Sequence, residues 1–155
     1  MEQAEHVIFA AHIRANTNAT VVAALVVRDD QAIADWYNQA SSTKAWRPIV
    51  EKQDLFDAMN LATFDSVAAG KRDAWKIMLD MAPLDFTKAS NRKGVVDIFA
   101  TADATNMLTA CTENALQVEL VFGGNSKTSG SVTAIKRNYI GATEAAEVSH
   151  VLNNY

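Results

Sequence analysis

The chain has 155 residues, 18 of them acidic and 14 basic, with three histidines and one cysteine. At 49% apolar and 21% charged, with six glycines and two prolines, its composition is that of a folded globular chain and excludes a disordered or collagen-like one. A net charge of −4 argues against a dedicated nucleic-acid binder, whose affinity rests on phosphate neutralisation, and the lone Cys111 excludes a disulfide scaffold.

The first residues, Met1-Glu2-Gln3-Ala4-Glu5, are acidic where a secretory leader is basic, so no signal peptide is expected. The longest apolar run, Val21 to Val27, falls far short of the ~18 residues that suggest a membrane span. No membrane partner is expected.

Val7, Ile8, Ala11 and Ala15 recur at helical spacing and predict an amphipathic helix over about 3–15. After the turn Asn16-Thr17-Asn18, Ala19 to Val27 is a short apolar element whose β-branched residues suit helix or strand. Asp29 and Asp30 can cap a helix to about Gln39, with Ile33, Trp36 and Tyr37 on one face. Ser41-Ser42-Thr43 reads as a polar break, and Trp46 to Val50 as a short extended piece around Pro48. Helices follow on Leu55, Phe56 and Met59, on Leu61, Phe64 and Val67, and on Trp75, Met78 and Leu79, the last stopped by Pro83. Asp85 or Thr87 can cap a helix carrying Val95, Ile98 and Phe99. Thr101 can cap another with Ala104, Leu108 and Cys111 in line. Leu116 to Val121 suits a short helix or a strand.

Residues 123–130 are the most loop-like stretch, and Ser131 to Ile140 reads as a strand. Gly141 and Thr143 reset the chain into a closing helix with Val148, Val151 and Leu152. The expected fold is mainly α, a compact multi-helix domain over 1–155 with a minor β-hairpin or strand at about 122–140. Its expected core is Ile33, Trp36, Leu55, Phe64, Trp75, Leu79, Ile98, Phe99 and Leu108.

No residue pattern specifies a reaction, so no catalytic residue, cofactor, metal or small-molecule substrate is expected. Lys127-Thr128 lacks the glycine that a phosphate-binding loop places just before its lysine. His6 and His12 fall on opposite sides of a helix, and His150 has no ligand-spaced partner, so all three read as surface histidines. Cys111 on an apolar face reads as a small core residue. The pairs Asp54 and Asp57, and Asp73 and Asp80, read as solvated helix faces. The basic clusters Lys71-Arg72-Lys76 and Lys88-Arg92-Lys93 read as solvated faces or as one side of a protein contact, with nucleic acid a minor alternative.

The candidate interface is Phe122, Gly123, Gly124, Asn125, Ser126, Lys127, Ser129, Val132, Ile135 and Tyr139. An eight-residue polar loop costs ~1–2 kcal/mol of backbone entropy per residue to order, which a compact monomer has no reason to spend. The following strand can pair with 118–122 or with an edge of a neighbouring subunit, and both options stay open.

Lys71-Arg72-Asp73-Ala74-Trp75, Leu84-Asp85-Phe86, Arg92, Asp97-Ile98-Phe99, Val118 to Gly124, Ile140-Gly141 and Val148-Ser149 together give the chain a pattern over most of 20–155. In these it resembles a family of small, uncharacterised proteins encoded among the structural genes of tailed bacteriophages. The resemblance implies a particle or assembly role and leaves capsid, head-tail connector and tail open. The expected function is a non-enzymatic virion structural or assembly protein, near the head-tail junction or tail, made in the bacterial cytoplasm and acting by oligomerisation, with itself and other phage structural proteins as partners. The alternative is a non-virion phage accessory protein that binds and modulates a host factor.

Overall fold

The computed structural model describes all 155 residues. In chain order the elements are α1 (Gln3–Ala15), α2 (Ala19–Val27), α3 (Asp30–Tyr37), β1 (Ala40–Trp46), α4 (Lys52–Asp57), α5 (Leu61–Phe64), α6 (Ala69–Asp80), α7 (Ala89–Ile98), α8 (Thr101–Ala110), β2 (Thr112–Leu116), α9 (Gln117–Val121), β3 (Gly124–Ser129), β4 (Val132–Arg137) and α10 (Ala145–Asn154). Helix makes up 56% and strand 17%, the latter in one four-stranded mixed sheet. The fold is therefore α/β, and the expectation of a mainly α domain with a minor hairpin is corrected.

The sheet runs in the order β2-β1-β4-β3. β1 and β4 are parallel, with Ala45 opposite Ile135. β2 runs antiparallel to β1: Gln117 N donates to Gln39 O at one end and Arg47 N to Cys111 O at the other, both at 3.0 Å. β3 and β4 form a hairpin closed by Gly130-Ser131. Gly130 has φ +57 and Ser131 is not in the left-handed region, which matches a type II′ turn with glycine at its first central position.

Three segments read otherwise from the sequence account for the corrected fold class, one of them Thr112–Leu116, which has no expected element of its own and forms β2. Ser41-Ser42-Thr43, expected as a break, lies inside β1. There Ser41 and Ala45 are buried on alternate positions, so the strand's period is carried by small residues instead of large apolar ones. Gly124 to Ser129, expected as loop, is β3, an edge strand with no apolar residue at all. β4 consequently pairs with β3 and β1 within the chain, and the expected local partner 118–122 is mostly helix α9.

The chain forms two compact units. The first comprises Met1–Ser42, Asn114–Asn125 and Arg137–Tyr155. Its core is Phe9, Ile13, Val21, Ile33, Tyr37, Val118, Val148 and Val151. Asn18 caps α2 by accepting from Thr20 N, and Asp29 caps α3 by accepting from Ala32 N, each at 3.0 Å, so both helices start where turn chemistry satisfies their free amides. The second comprises Thr43–Glu113 and Ser126–Lys136, around Trp46, Leu55, Trp75, Phe86, Val95, Met107 and Leu108. Trp75 meets Phe99 edge to face at 5.0 Å.

Of the expected core, Ile33, Leu55, Trp75, Leu79, Ile98, Phe99 and Leu108 are buried, while Trp36 and Phe64 are only half-buried. Tyr37 takes the inner place on α3, and Trp36 packs edge-on against it at 4.7 Å. Phe64 sits on α5, a single turn too short to present a full face.

Candidate interaction surface

The ten candidate interface residues divide between internal packing and exposure. Phe122 stacks on Tyr139 at 4.8 Å and approaches Phe9 at 6.3 Å, so both Phe122 and Tyr139 serve the first unit's packing. Gly123, at φ +69, makes the turn out of α9. Val132 packs on the second unit's core, and half-buried Ile135 lies beside β1. Gly124, Asn125, Ser126 and Lys127 are exposed along the edge strand.

Ser129 belongs to a buried arginine site. Arg92 on α7, expected with Lys88 and Lys93 on a solvated or contact face, is instead buried at 3% exposure, and its hydrogen bonds go to a hydroxyl and to backbone carbonyls. Its Nε donates to Ser129 Oγ at 3.0 Å, its Nη1 donates to Phe86 O at 2.6 Å and Thr87 O at 2.8 Å, and its guanidinium lies 5.0 Å over the Trp46 ring. Trp46 in turn donates from Nε1 to Lys127 O at 3.1 Å, reaching past β4 to β3. Burial lowers the Arg92 pKa, and Asp85 opposes that shift. This network fastens β3; it does not open a site.

In the first unit, Glu119 and Arg137 form a buried ion pair at 2.8 Å. Glu119 also accepts from Leu116 N at 2.8 Å and from Gly141 N at 3.0 Å, joining α9 to the segment beyond β4. A surface cleft of about 580 Å³ in the same unit is lined by His6, Tyr139, Glu144, Glu147 and His150, among others. Within it Glu147 already accepts from the Met1 ammonium at 3.1 Å and from Thr143 Oγ1 at 2.9 Å, with His6 Nε2 at 3.7 Å. Tyr139 is held above its ordinary value by burial and then by Glu147, Glu5 and Glu119. Glu147 thus links Met1 and His6 of α1 to α10.

Elsewhere the side chains singled out from sequence are engaged one by one. His12 Nδ1 lies 2.8 Å from Tyr37 Oη, which also accepts from Asn16 Nδ2 at 2.8 Å, and burial pushes the Tyr37 phenol up to about 12. Cys111 is buried, its thiol likewise pushed up to about 12 chiefly by that burial, in keeping with a core role. Asp54 bonds Arg47 at 2.7 Å, Asp57 accepts from Gln53 at 2.6 Å, Asp73 pairs with Lys76 and Asp80 with Lys52. Lys127-Thr128 lies within a strand, not at a helix start.

Sequence reasoning passed over the feature that stands out in the structure. α2 has no charged residue, and it buries only Val21 and Ala24 fully. On the opposite side Ala19, Val22, Ala23, Val26 and Val27 face solvent, with Val22 44%, Val26 80% and Val27 72% exposed. These positions run i, i+3, i+4, i+7, i+8, the stripe a helix presents to another helix. The signal was available in Ala19 to Val27, apolar on every side except at Thr20. A surface helix normally carries charge on its outer face.

Compared with known proteins, the chain matches no family, no curated protein and no solved structure. No helix is long and apolar enough to cross a membrane.

Proposed function

We propose that the chain is a non-enzymatic structural or assembly subunit that works by self-association, in the virion of a tailed bacteriophage at the head-tail junction or tail. The observation that carries the self-association is the outward stripe of α2. A short helix that is apolar on both faces buries one face in its own core and leaves the other for a second protein surface. The phage setting rests on the sequence pattern from Lys71 to Ser149 and on nothing in the geometry.

Two measurements test the two parts. Mass spectrometry of purified particles of the encoding phage should detect the chain at a stoichiometry of several copies, and its absence would defeat the virion setting. Light scattering on the isolated chain should give a mass above 16.8 kDa, and a fixed monomer mass would defeat the self-association.

A further inference from the structure

We propose that the lysine-bearing face of the sheet binds the phosphodiester backbone of duplex nucleic acid without regard to sequence. Surface and ligand both lie beyond the self-association reading and do not depend on it. The chain carries −4 overall, but its charge is unevenly held: all eight lysines fall in the second unit, while the first has three arginines against eight acids. Lys52, Lys76, Lys88 and Lys93 stand beside Asp80, Asp73, Asp85 and Asp97. Of the other four, Lys44, Lys127 and Lys136 lie on strands of the sheet, and no carboxylate pairs with any of them.

Strand register puts these three on one face. Ala45 is opposite Ile135 in the parallel pair, so Lys44 lies beside Ala134, and Lys136 leaves β4 on the same side two residues on. The Thr128 and Thr133 hydroxyls meet at 2.8 Å, which sets Lys127 beside Ala134 from β3. Lys44 and Lys127 thus flank Ala134 at two strand spacings, about 10 Å apart. All three lysines are exposed. Glu113 is the one acidic residue in the four strands. The bonds from Gln117 to Gln39 and from Arg47 to Cys111 align odd-numbered residues of β2 with odd-numbered residues of β1, which turns Glu113 to the opposite face with Ala45. Lysine on an edge strand guards against unwanted pairing, which accounts for Lys127 but not for Lys44 and Lys136 on the inner strands.

The composition of the face selects the ligand. Protein contacts concentrate aromatic residues, Met and Arg and are poor in Lys. Here the apolar residues Trp46, Val132 and Ala134 pack into the core, and solvent meets the lysines. A single strand would need an exposed aromatic ring on which to stack its bases, and a lipid surface would need an apolar face to bury; this face has neither. Lysine point charges with no base-reading side chain match phosphates alone. Three of them make the binding weak, ~10⁻⁴ M, at the loose end of non-specific affinities, and steeply salt-dependent.

Fluorescence anisotropy with short labelled duplexes of two unrelated sequences tests this. Both should bind alike, and affinity should fall about 40-fold between about 50 and 200 mM salt, the slope expected for three phosphates. The variant Lys44→Gln/Lys127→Gln/Lys136→Gln should lose about tenfold or more at the lower salt. Its circular dichroism and melting temperature should be unchanged, because all three side chains are exposed. Lys52→Gln/Lys76→Gln/Lys93→Gln removes the same charge from helices and should stay within about threefold of wild type. Equal losses in the two variants would reduce the effect to net charge and overturn the site, as would no duplex binding at the lower salt. Polyglutamate or phosphatidylglycerol vesicles bound more tightly than duplex, and released by the sheet variant, would give the face to an acidic protein or to lipid and overturn the nucleic-acid assignment.

Discussion

Glu119 holds three donors in an almost water-free place: Arg137 Nη1, Leu116 N and Gly141 N. Truncating one partner of such a pair strands the other charge, so Glu119→Ala should cost about 3–5 kcal/mol in urea unfolding. A loss below about 1 kcal/mol would show that water already screens the pair. His12 supplies a second test. Burial holds its pKa below 6.5, so the unfolded chain binds more protons there than the native one does. Stability from this group is present above 6.5 and is lost as pH falls below it. The urea midpoint should drop between pH 7 and 5, and drop less in His12→Gln; equal drops would contradict it. These pairings were only faintly legible in the sequence. A lone carboxylate inside Val118-Glu119-Leu120-Val121 is the kind of buried charge that demands a partner, but nothing in its spacing pointed to Arg137.

Among the elements, long helices were readable and strands built from small polar residues were not. α1 matches its expected span but not its expected face: Phe9, Ala10 and Ile13 are buried, whereas Val7, Ile8, Ala11 and Ala15, from which the helix is expected, are exposed. β1 hides its period in Ser41 and Ala45, and β3 has no side-chain period to read, being held by backbone pairing, the Trp46 indole and Arg92 through Ser129. The one local cue to β3 was Gly130-Ser131 between Thr128 and Thr133, whose hydroxyls meet at 2.8 Å across the hairpin. Deleting Asn125 to Ser129 therefore removes a strand, not a slack loop. Thermal unfolding of that variant should show a melting temperature lower by at least several degrees, and an unchanged one would mean that β3 adds nothing to the sheet. α10 is similarly integral to the first unit. Val148, Val151 and Leu152 are buried, and at ~1.5–3 kcal/mol each their removal takes away about 5–9 kcal/mol, comparable to a domain's whole stability. A chain ending at Glu144 should lose cooperative unfolding of that unit by hydrogen exchange; native protection of α1 and α3 in it would contradict this.

At the scale of the whole molecule, the sequence supported a globular chain with an ample core, and two such cores formed. The interface was harder to place, because the loop argument looked for entropy wasted on polar residues, whereas the anomaly lies in apolar residues left in water at Val22, Val26 and Val27. The proposed self-association requires that exposed face to have an occupant when copies of the chain meet. Multi-angle light scattering over a concentration series up to the millimolar range tests it most directly. Self-association predicts a weight-average mass that rises reversibly above 16.8 kDa as concentration increases. A mass fixed at 16.8 kDa throughout would contradict it.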